Sequence, residues 1–215
     1  MSHYKPKVIA VILNYNSSDD ARRCLGFLKK QTYDNLGIIL VDNASTCRNE
    51  RIRIRNICRG ENILFVQNET NRGFSAGNNV GLRMAVELGA QWCLVINPDV
   101  ELRNPEWLKS IIETVENYPK AAVIGTDVRM PDQTRQNPMR ECTYMEDLLW
   151  PLDAMKHKFG LWKGYLAEDK TGYCDKLSGC SFLIRADFLQ EIGFLDEHNF
   201  LYSEEPILAI QVRLK

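Results

Sequence analysis

The sequence predicts an α/β protein with a doubly wound, mostly parallel central sheet and helices on both of its faces. Two patterns support this fold class. Short apolar runs rich in β-branched residues recur through the first 125 residues, and such runs are typical of strands that are buried on both faces. Amphipathic stretches, with apolar residues at i, i+3, i+4 and i+7, lie between them. Strands that alternate with helices at this spacing form parallel sheets.

Each predicted element has a local reason in the sequence. The apolar runs predict strands at residues 8–13, 38–41, 63–66, 92–96 and 121–125. Residues 17–20 predict a helix start, because small polar residues cap helices and acidic residues favour the first turn. Asn104 and Pro105 predict another helix, with proline at its first position. Residues 177–185 predict a sixth strand, followed by a short helix, and residues 204–215 have a helical pattern.

The composition excludes several classes of protein. The 215 residues include 27 Lys+Arg and 28 Asp+Glu, a formal charge of −1, whereas a protein that binds mainly nucleic acid normally has a basic excess. With 45% hydrophobic and 26% charged residues, the chain has an ordinary globular composition. No stretch approaches the length of a membrane-spanning helix, and the apolar run after the amino terminus is too short for a secretion signal.

The seven cysteines and three histidines predict neither a zinc site nor a disulfide framework. No C-x-x-C pair occurs and the histidines are far apart, so the spacing of zinc ligands is absent. We therefore expect thiols in the core or at the surface, and a reducing, cytoplasmic setting.

Polar clusters follow four of the predicted strands and give the first indication of function. They occupy residues 14–16, 42–43, 71–79 and 97–99. In doubly wound sheets, ligands bind at the carboxyl ends of the strands. The clusters therefore predict a binding site at this edge, with residues 68–77 as a polar, glycine-containing loop.

The local motifs leave several interpretations open. No G-x-G-x-x-G turn follows the first strand, which argues against a dinucleotide-binding domain, and no G-x-x-x-x-G-K-[ST] loop occurs. Glycines at 73, 77 and 81 have a spacing that suits close helix packing as well as ligand binding. Asn97-Pro98-Asp99 places a carboxylate where it can bind Mg²⁺ or Mn²⁺ with substrate phosphates. In isolation, Asp99 and Asp42 are more often parts of ordinary turns.

Six segments taken together resemble the motifs of family 2 glycosyltransferases with the GT-A fold. In family order they are V-I-L-N-Y-N-S (11–17), V-D-N-A-S-T (41–46), N-R-G-F-S-A-G-N-N-V-G (71–81), I-N-P-D-V (96–100), S-G-C-S-F-L-I-R (178–185) and I-G-F-L-D-E-H-N-F-L-Y-S-E-E (192–205). The resemblance covers about residues 7–127 and 177–214. The subgroup that the chain resembles most contains the rhamnosyl- and galactosyl-type transferases of bacterial surface-polysaccharide biosynthesis.

The resemblance implies one GT-A-like catalytic domain over residues 1–215. Residues 7–127 would form its nucleotide-sugar-binding half and residues 128–215 its acceptor-side half. The second half would be truncated, because it ends before the carboxyl-terminal segment that such enzymes normally have.

The resemblance also implies roles in donor binding. The residues implied to line the nucleotide and its diphosphate are Asn14, Tyr15, Arg72, Gly73 and Asn78. Asp42 would accept a hydrogen bond from the base NH of uracil or thymine. Gly179 would border the donor sugar, and the missing side chain of Gly73 would let the backbone come close to the diphosphate.

The resemblance further implies one pair of residues that binds a metal and one pair that includes the catalytic base. Asn97 and Asp99 match the D-x-D metal motif of the family, with asparagine in place of the first aspartate. Glu204 and Glu205 match its E-D pair, whose second member is the catalytic base, with glutamate in place of aspartate. We therefore expect Glu205 to act as the base and Glu204 to support it.

These residues predict an inverting transfer from a UDP- or dTDP-sugar to a glycan or lipid-linked acceptor. A divalent ion, Mg²⁺ or Mn²⁺, held by Asp99 would stabilise the leaving diphosphate, and a carboxylate would take the proton of the acceptor hydroxyl. Two alternatives stay open. Asn97, Pro206 and the early end of the chain are also compatible with a catalytically degenerate nucleotide- or glycan-binding module. A sugar-1-phosphate nucleotidyltransferase would need a basic, glycine-rich loop that residues 14–20 lack.

Residues 148–166 mix aromatic and basic side chains, a composition that is typical of membrane-surface contacts. We expect this segment on the acceptor side. One interpretation is peripheral contact with the inner face of the membrane; the other is an aromatic lid of Trp150 and Trp162 over the sheet. His157 is predicted to be a solvated loop residue rather than a catalyst.

Overall fold

The computed structural model describes residues 5–141, 149, 152, 166–167, 170–202 and 204–215. The chain forms two compact units, one of Met1–Ile124 with Gly179–Lys215 and one of Gly125–Ser178. Most of the predicted acceptor-side segment 148–166 lies outside the described residues. The predictions for Trp150, Trp162 and His157 lie outside them as well.

A six-stranded sheet forms the centre of the fold. Its strands are β1 (Val8–Asn14), β2 (Leu36–Asp42), β3 (Ile63–Gln67), β4 (Trp92–Ile96), β5 (Val123–Gly125) and β6 (Ser181–Arg185). They lie in the order β3-β2-β1-β4-β6-β5. β1 pairs in parallel with β2 and β4, and β2 with β3, whereas β6 is antiparallel to β4. The predicted mostly parallel sheet is therefore confirmed.

Helices cover both faces of this sheet. They are α1 (Ser18–Leu28), α2 (Arg48–Cys58), α3 (Phe74–Glu87), α4 (Trp107–Val115), α5 (Ala186–Glu191) and α6 (Glu204–Arg213). Val8, Ala10 and Ile12 of β1 enter one core with side chains of α1, α2 and α4. Ile9 and Val11 point the other way, into a second core with α3 and α5, because successive strand residues face opposite sides. None of the described helices has the length and apolarity that crossing a membrane requires.

Helix α4 begins at Trp107, later than the predicted start at residues 104–105. Asn104 Oδ1 accepts a hydrogen bond from the Glu106 N–H at 3.0 Å, which forms a turn before the helix. The Leu108 N–H in the first turn donates to Gln31 Oε1 at 3.0 Å. Gln31 is 77 residues away, so a local sequence pattern could not reveal this cap.

Helix α3 also departs from the prediction, because it begins at Phe74 inside the stretch predicted as loop. Gly73 precedes it with a φ of 90°, a conformation that favours glycine. The Phe74 N–H donates to the Phe200 carbonyl at 2.8 Å, so a distant segment supplies a partner for the first turn. The sixth strand is likewise shorter than predicted and is confined to Ser181–Arg185.

Two cysteines match the expectation of core thiols. Cys24 and Cys93 have no exposed surface. Burial, with a smaller effect of the nearby Asp99 charge, raises the pKa of Cys24 to about 12, and burial raises the pKa of Cys93 to about 12. Both therefore stay protonated at neutral pH and are poor nucleophiles.

Candidate functional site

A buried hydrogen-bond network around Asp42 joins the carboxyl ends of the first three strands. In-register pairing of the parallel strands β1 and β2 sets Asn14 opposite Asp42, and Asn14 Nδ2 donates to Asp42 Oδ1 at 2.9 Å. Ser45 Oγ donates to the same oxygen at 2.5 Å, and Gln67 Nε2 donates to Oδ2 at 3.0 Å. A buried carboxylate is costly unless it is hydrogen-bonded, and these donors satisfy both of its oxygens.

The burial of Asp42 bears on its predicted contact with a nucleobase. The residue has no exposed surface. A base NH would therefore have to share or replace one of the protein donors. Each oxygen has two donors, and the longest of these four bonds runs from the Ser45 N–H to Oδ2, at 3.4 Å. The contact with uracil or thymine stays a prediction.

Asn16 ties the loop after β1 to the loop after β2. Its φ of 53° is left-handed, a region that asparagine enters more readily than most residues. Its Oδ1 accepts from the Thr46 N–H at 3.0 Å and its Nδ2 donates to Thr46 Oγ1 at 3.0 Å. The neighbouring residue Tyr15 is 43% exposed, and its aromatic ring offers a flat apolar surface on which a base can stack.

The glycines at four-residue spacing pack α3 onto the sheet. A Cβ added at Gly77 would lie 2.8 Å from Leu13 Cδ1, and one at Gly81 would lie 2.5 Å from Val11 Cγ1. A Cβ at Gly73 would overlap the carbonyl group of Phe200. The spacing therefore serves close packing, and the backbone that approaches Gly73 is that of Phe200. Contact of Gly73 with a diphosphate stays a prediction.

Two glycine variants measure this packing. We expect Gly81→Ala to lower the free energy of unfolding by about 1–3 kcal/mol, because the new methyl group overpacks the space beside Val11. Gly26 lies within α1 with no heavy atom within 4 Å of an added Cβ. The matched Gly26→Ala should therefore raise the free energy of unfolding by about 0.5–1 kcal/mol. Urea unfolding measures both values, and equal effects at the two positions would contradict the packing argument.

Arg72 and Asn78 differ in how accessible they are. The Arg72 side chain is 67% exposed and its Nη2 lies 3.0 Å from Glu197 Oε2, so a diphosphate would compete with Glu197 for the guanidinium group. Asn78 is buried and its Nδ2 donates to the Phe74 carbonyl at 3.0 Å. Its Oδ1 has no hydrogen-bond partner among the residues that the structure describes, which is unusual for a buried amide oxygen.

The end of β4 carries the candidate metal ligands. The Asn97 N–H donates to the Cys180 carbonyl at 2.8 Å, and Asp99 is exposed. Within the described part of the chain, no side chain donates to Asp99 or forms an ion pair with it. An unpaired carboxylate beside an amide oxygen is the hard donor set that Mg²⁺ and Mn²⁺ bind together with phosphates. The residues therefore fit a divalent ion, although the described residues hold no cluster of three or more such ligands.

Glu204 and Glu205 open α6 and flank Gly179. The Gly179 N–H donates to Glu205 Oε1 at 3.1 Å. A Cβ at Gly179 would lie 3.3 Å from Glu205 Oε1 and 3.5 Å from Glu204 Cγ, so the glycine leaves room for both side chains. Burial, together with the charge of Glu205, raises the pKa of Glu204 above its ordinary value. A raised pKa is a property that general bases use.

All the candidate site residues lie in the unit of Met1–Ile124 with Gly179–Lys215. The structure brings Asn14 together with Asp42, and Gly179 with both glutamates. The Asn97 N–H also donates to the carbonyl of Cys180. Since Cys180 follows Gly179, this bond connects the end of β4 to the backbone that contacts Glu204 and Glu205. Residues with no predicted role complete the site, namely Asn16, Ser45 and Gln67. Asn16 and Ser45 fall inside the segments that resemble the family motifs. Gln67 lies outside those segments, but it directly follows the predicted strand at residues 63–66 and pairs in register with Asp42.

Two curated proteins with sequences similar to this chain are named as sugar transferases. Agl10, a low-salt glycan biosynthesis hexosyltransferase of Haloferax volcanii, is 30% identical over 97 residues, which are 45% of this chain and 29% of Agl10. A UDP-N-acetylglucosamine–dolichyl-phosphate N-acetylglucosaminyltransferase of Methanococcus voltae is 23% identical over 144 residues, which are 61% of this chain and 56% of that enzyme. The chain thus spans between 29% and 56% of the length of these curated relatives.

Solved structures confirm the fold, and a family match covers most of the chain. The mannosyltransferase PcManGT of Pyrobaculum calidifontis, in complex with GDP-Man and Mn²⁺, gives a TM-score of 0.65 at 16% identity over 91% of this chain and 49% of its own. TarS 1-349 of S. aureus, in complex with UDP-GlcNAc, gives 0.62 at 19% identity over 97% of this chain and 53% of its own. The predicted GT-A fold is therefore confirmed. The model for glycosyl transferase family 2 matches residues 9–201, and the chain belongs to that family.

Proposed function

We propose that this chain is the catalytic domain of an inverting glycosyltransferase that moves a sugar from a UDP- or dTDP-sugar to a glycan or lipid-linked acceptor. One observation carries the proposal. Asp99, an exposed and unpaired carboxylate, follows β4. Two residues before it, the Asn97 N–H donates to the carbonyl of Cys180, and the preceding residue, Gly179, contacts both glutamates. A metal ligand for a leaving diphosphate and a base for an attacking hydroxyl are the two charged functions that sugar transfer needs.

Donor binding uses the ends of the strands. Asp99, with the amide oxygen of Asn97, would hold Mg²⁺ or Mn²⁺, which neutralises charge on the leaving diphosphate when bound. Asp42 accepts from the base NH, and the exposed ring of Tyr15 stacks on the base. Arg72 exchanges its bond with Glu197 for one with the diphosphate. The structural relatives solved with GDP-Man and Mn²⁺ and with UDP-GlcNAc support this use of the fold.

Glu205 acts as the base. Its carboxylate takes the proton of the acceptor hydroxyl as the hydroxyl oxygen bonds to the anomeric carbon. The bond from that carbon to the diphosphate breaks on the opposite face, so the configuration inverts. The Gly179 N–H holds Glu205 Oε1 in one orientation, and Glu204 beside it keeps the local field negative, which favours the arrival of a proton.

The acceptor side is assigned to residues 128–215, and the nucleotide-sugar side to residues 7–127. We place the enzyme in the cytoplasm, in peripheral contact with the inner face of the membrane. The dolichyl-phosphate acceptor in the name of the Methanococcus voltae relative supports a lipid-linked acceptor. The charge of −1 gives no reason to propose a nucleic-acid partner.

A panel of nucleotides and nucleotide sugars tests the function. We expect UDP or dTDP compounds to raise the unfolding temperature in the presence of Mn²⁺, since a ligand at a hundred times its dissociation constant adds about 2.7 kcal/mol of stability. We also expect slow, metal-dependent hydrolysis of the donor when no acceptor is present. Binding without any turnover would indicate a degenerate binding module. Turnover of a sugar-1-phosphate with a nucleoside triphosphate would indicate a nucleotidyltransferase.

Asp42→Ala tests the assignment of the base contact. We expect UDP or dTDP binding to weaken by about 1.5–3 kcal/mol, with or without metal, as for loss of a charge-assisted hydrogen bond. Calorimetry below the unfolding temperature measures the dissociation constants of UDP and dTDP. Ser45→Ala is the matched control, because it removes one donor to Asp42 but keeps the carboxylate. Unchanged dissociation constants for both nucleotides in a folded Asp42→Ala protein would rule out the contact.

A further inference from the structure

Residues 194–200 run along the first half of α3 shortly before the chain reaches Glu204. Asn79 holds this segment through both backbone groups of one residue. Its Nδ2 donates to the Leu195 carbonyl at 2.8 Å, and its Oδ1 accepts from the Leu195 N–H at 3.1 Å. Asn79 is 1% exposed, so these bonds are shielded from water and are costly to leave unmade.

Two other residues of the same segment, Glu197 and Phe200, contact α3 or the residues just before it. Glu197 accepts from Asn79 Nδ2 at 2.8 Å and pairs with Arg72 at 3.0 Å. Four residues before Glu204, the Phe200 carbonyl accepts from the Phe74 N–H at 2.8 Å. Phe74 opens α3, so this bond uses an N–H that has no partner within the helix.

The tip of the segment has little apolar packing of its own. Phe200 is 59% exposed and Tyr202 is 75% exposed, so burial in a core does not hold this part in place. Phe194 and Tyr202 have φ values of 75° and 69°, a left-handed conformation that bulky side chains adopt only where their surroundings impose it. Leu195 is buried in the core that includes α3. Beyond it, the Phe74–Phe200 hydrogen bond and the bond from the Gly179 N–H to Glu205 constrain the path of the chain into Glu204 and Glu205.

We propose that Asn79 is a positioning residue for the reaction, which fixes residues 195–200 on α3 and so places Glu204 and Glu205 beside Gly179. The inference rests on the proposed function. The polar residues near the start of α3 would therefore position the base as well as bind the donor. The four residues from Phe200 to Glu204 span at most about 14 Å. A shift of residues 195–200 would therefore also move Glu204 and Glu205.

Asn79→Ala tests the proposal through kinetics. We expect kcat to fall roughly 10- to 100-fold, since a misplacement of about 1 Å has effects of this size. The dissociation constant of the donor should change less than about threefold, because the lost interaction acts on the base rather than on ground-state binding. Ile54→Ala is the control for lost stability. Ile54 is fully buried in the core with α1 and α2, on the face of the sheet opposite to α3. It should lower the unfolding temperature and leave kcat unchanged at a temperature where both variants are folded.

Hydrogen exchange of the Leu195 and Phe74 amides gives a readout besides activity. We expect both amides to be protected in the unaltered protein, and the protection of Leu195 to be lost in Asn79→Ala but kept in Ile54→Ala. If Asn79→Ala does not fold, Asn79→Asp takes its place, because it keeps an acceptor for the Leu195 N–H and loses the two donated bonds.

The outcomes separate this inference from the proposed function. A folded Asn79→Ala protein with normal kcat or with unchanged exchange at Leu195 overturns the positioning role, and so does a folded Asn79→Asp protein with normal kcat. If the unaltered protein transfers no sugar from any donor, the proposed function fails, and the positioning role in that reaction fails with it. A fall in kcat with loss of Leu195 protection and near-normal donor affinity supports both.

Discussion

Glu205→Gln is expected to lower turnover by at least about 10²-fold, the low end of what a general base contributes. Nucleotide-sugar binding should persist, because glutamine has nearly the same shape and can still accept from the Gly179 N–H, which now bonds Oε1 at 3.1 Å. The variant removes only the ability to take a proton. Steady-state kinetics with saturating donor, alongside calorimetry of donor binding, measures the two effects separately.

Glu204→Gln is the matched control, since it makes the same chemical change one residue earlier. Burial raises the pKa of Glu204, so a base at this position would move the acidic limb of the rate profile above the range of an ordinary glutamate. Near-normal turnover in Glu205→Gln together with an inactive Glu204→Gln would transfer the role to Glu204. Activity in both variants would exclude a base in this pair.

The sequence was sufficient for the sheet and for much of the edge where the candidate residues meet. β1 and β2 are continuous apolar runs, and parallel pairing in register then sets Asn14 opposite Asp42. The order of the strands together with their register therefore accounts for this contact. The same logic places Asn97 and Asp99 on this edge, because they follow β4 directly.

Partners that are distant in sequence could not be predicted. Gln31 bonds to the Leu108 N–H across 77 residues, and Asn79 bonds to Leu195 across 116 residues. An amide side chain has no periodicity that reveals its partner, and such bonds exist only once the chain has folded. Gly73 is a similar case. The glycine spacing predicted that another group approaches the backbone there, but it could not identify that group as the Phe200 carbonyl.

Asp99→Ala is expected to abolish the metal-dependent part of UDP binding while the fold stays intact. The residue is exposed and makes no hydrogen bond or ion pair with the described residues, so its removal leaves no buried group unpaired and little change in stability is expected. We expect the Mn²⁺-dependent gain in UDP affinity to fall by at least about tenfold, since weakening even the outer shell of a metal site has effects of this size.

The chain offers a close control for that variant. Glu101 is a carboxylate two residues further on that already pairs with Arg103, with Oε2 and Nη2 2.7 Å apart. Glu101→Ala changes the local charge equally but removes no predicted ligand, so UDP affinity with Mn²⁺ should stay unchanged. If calorimetry gives Asp99→Ala the same metal-dependent affinity as Glu101→Ala, general electrostatic attraction explains the binding and Asp99 does not hold the ion. A loss confined to Asp99→Ala, absent when Mn²⁺ is removed with a chelator, would assign the metal to the end of β4.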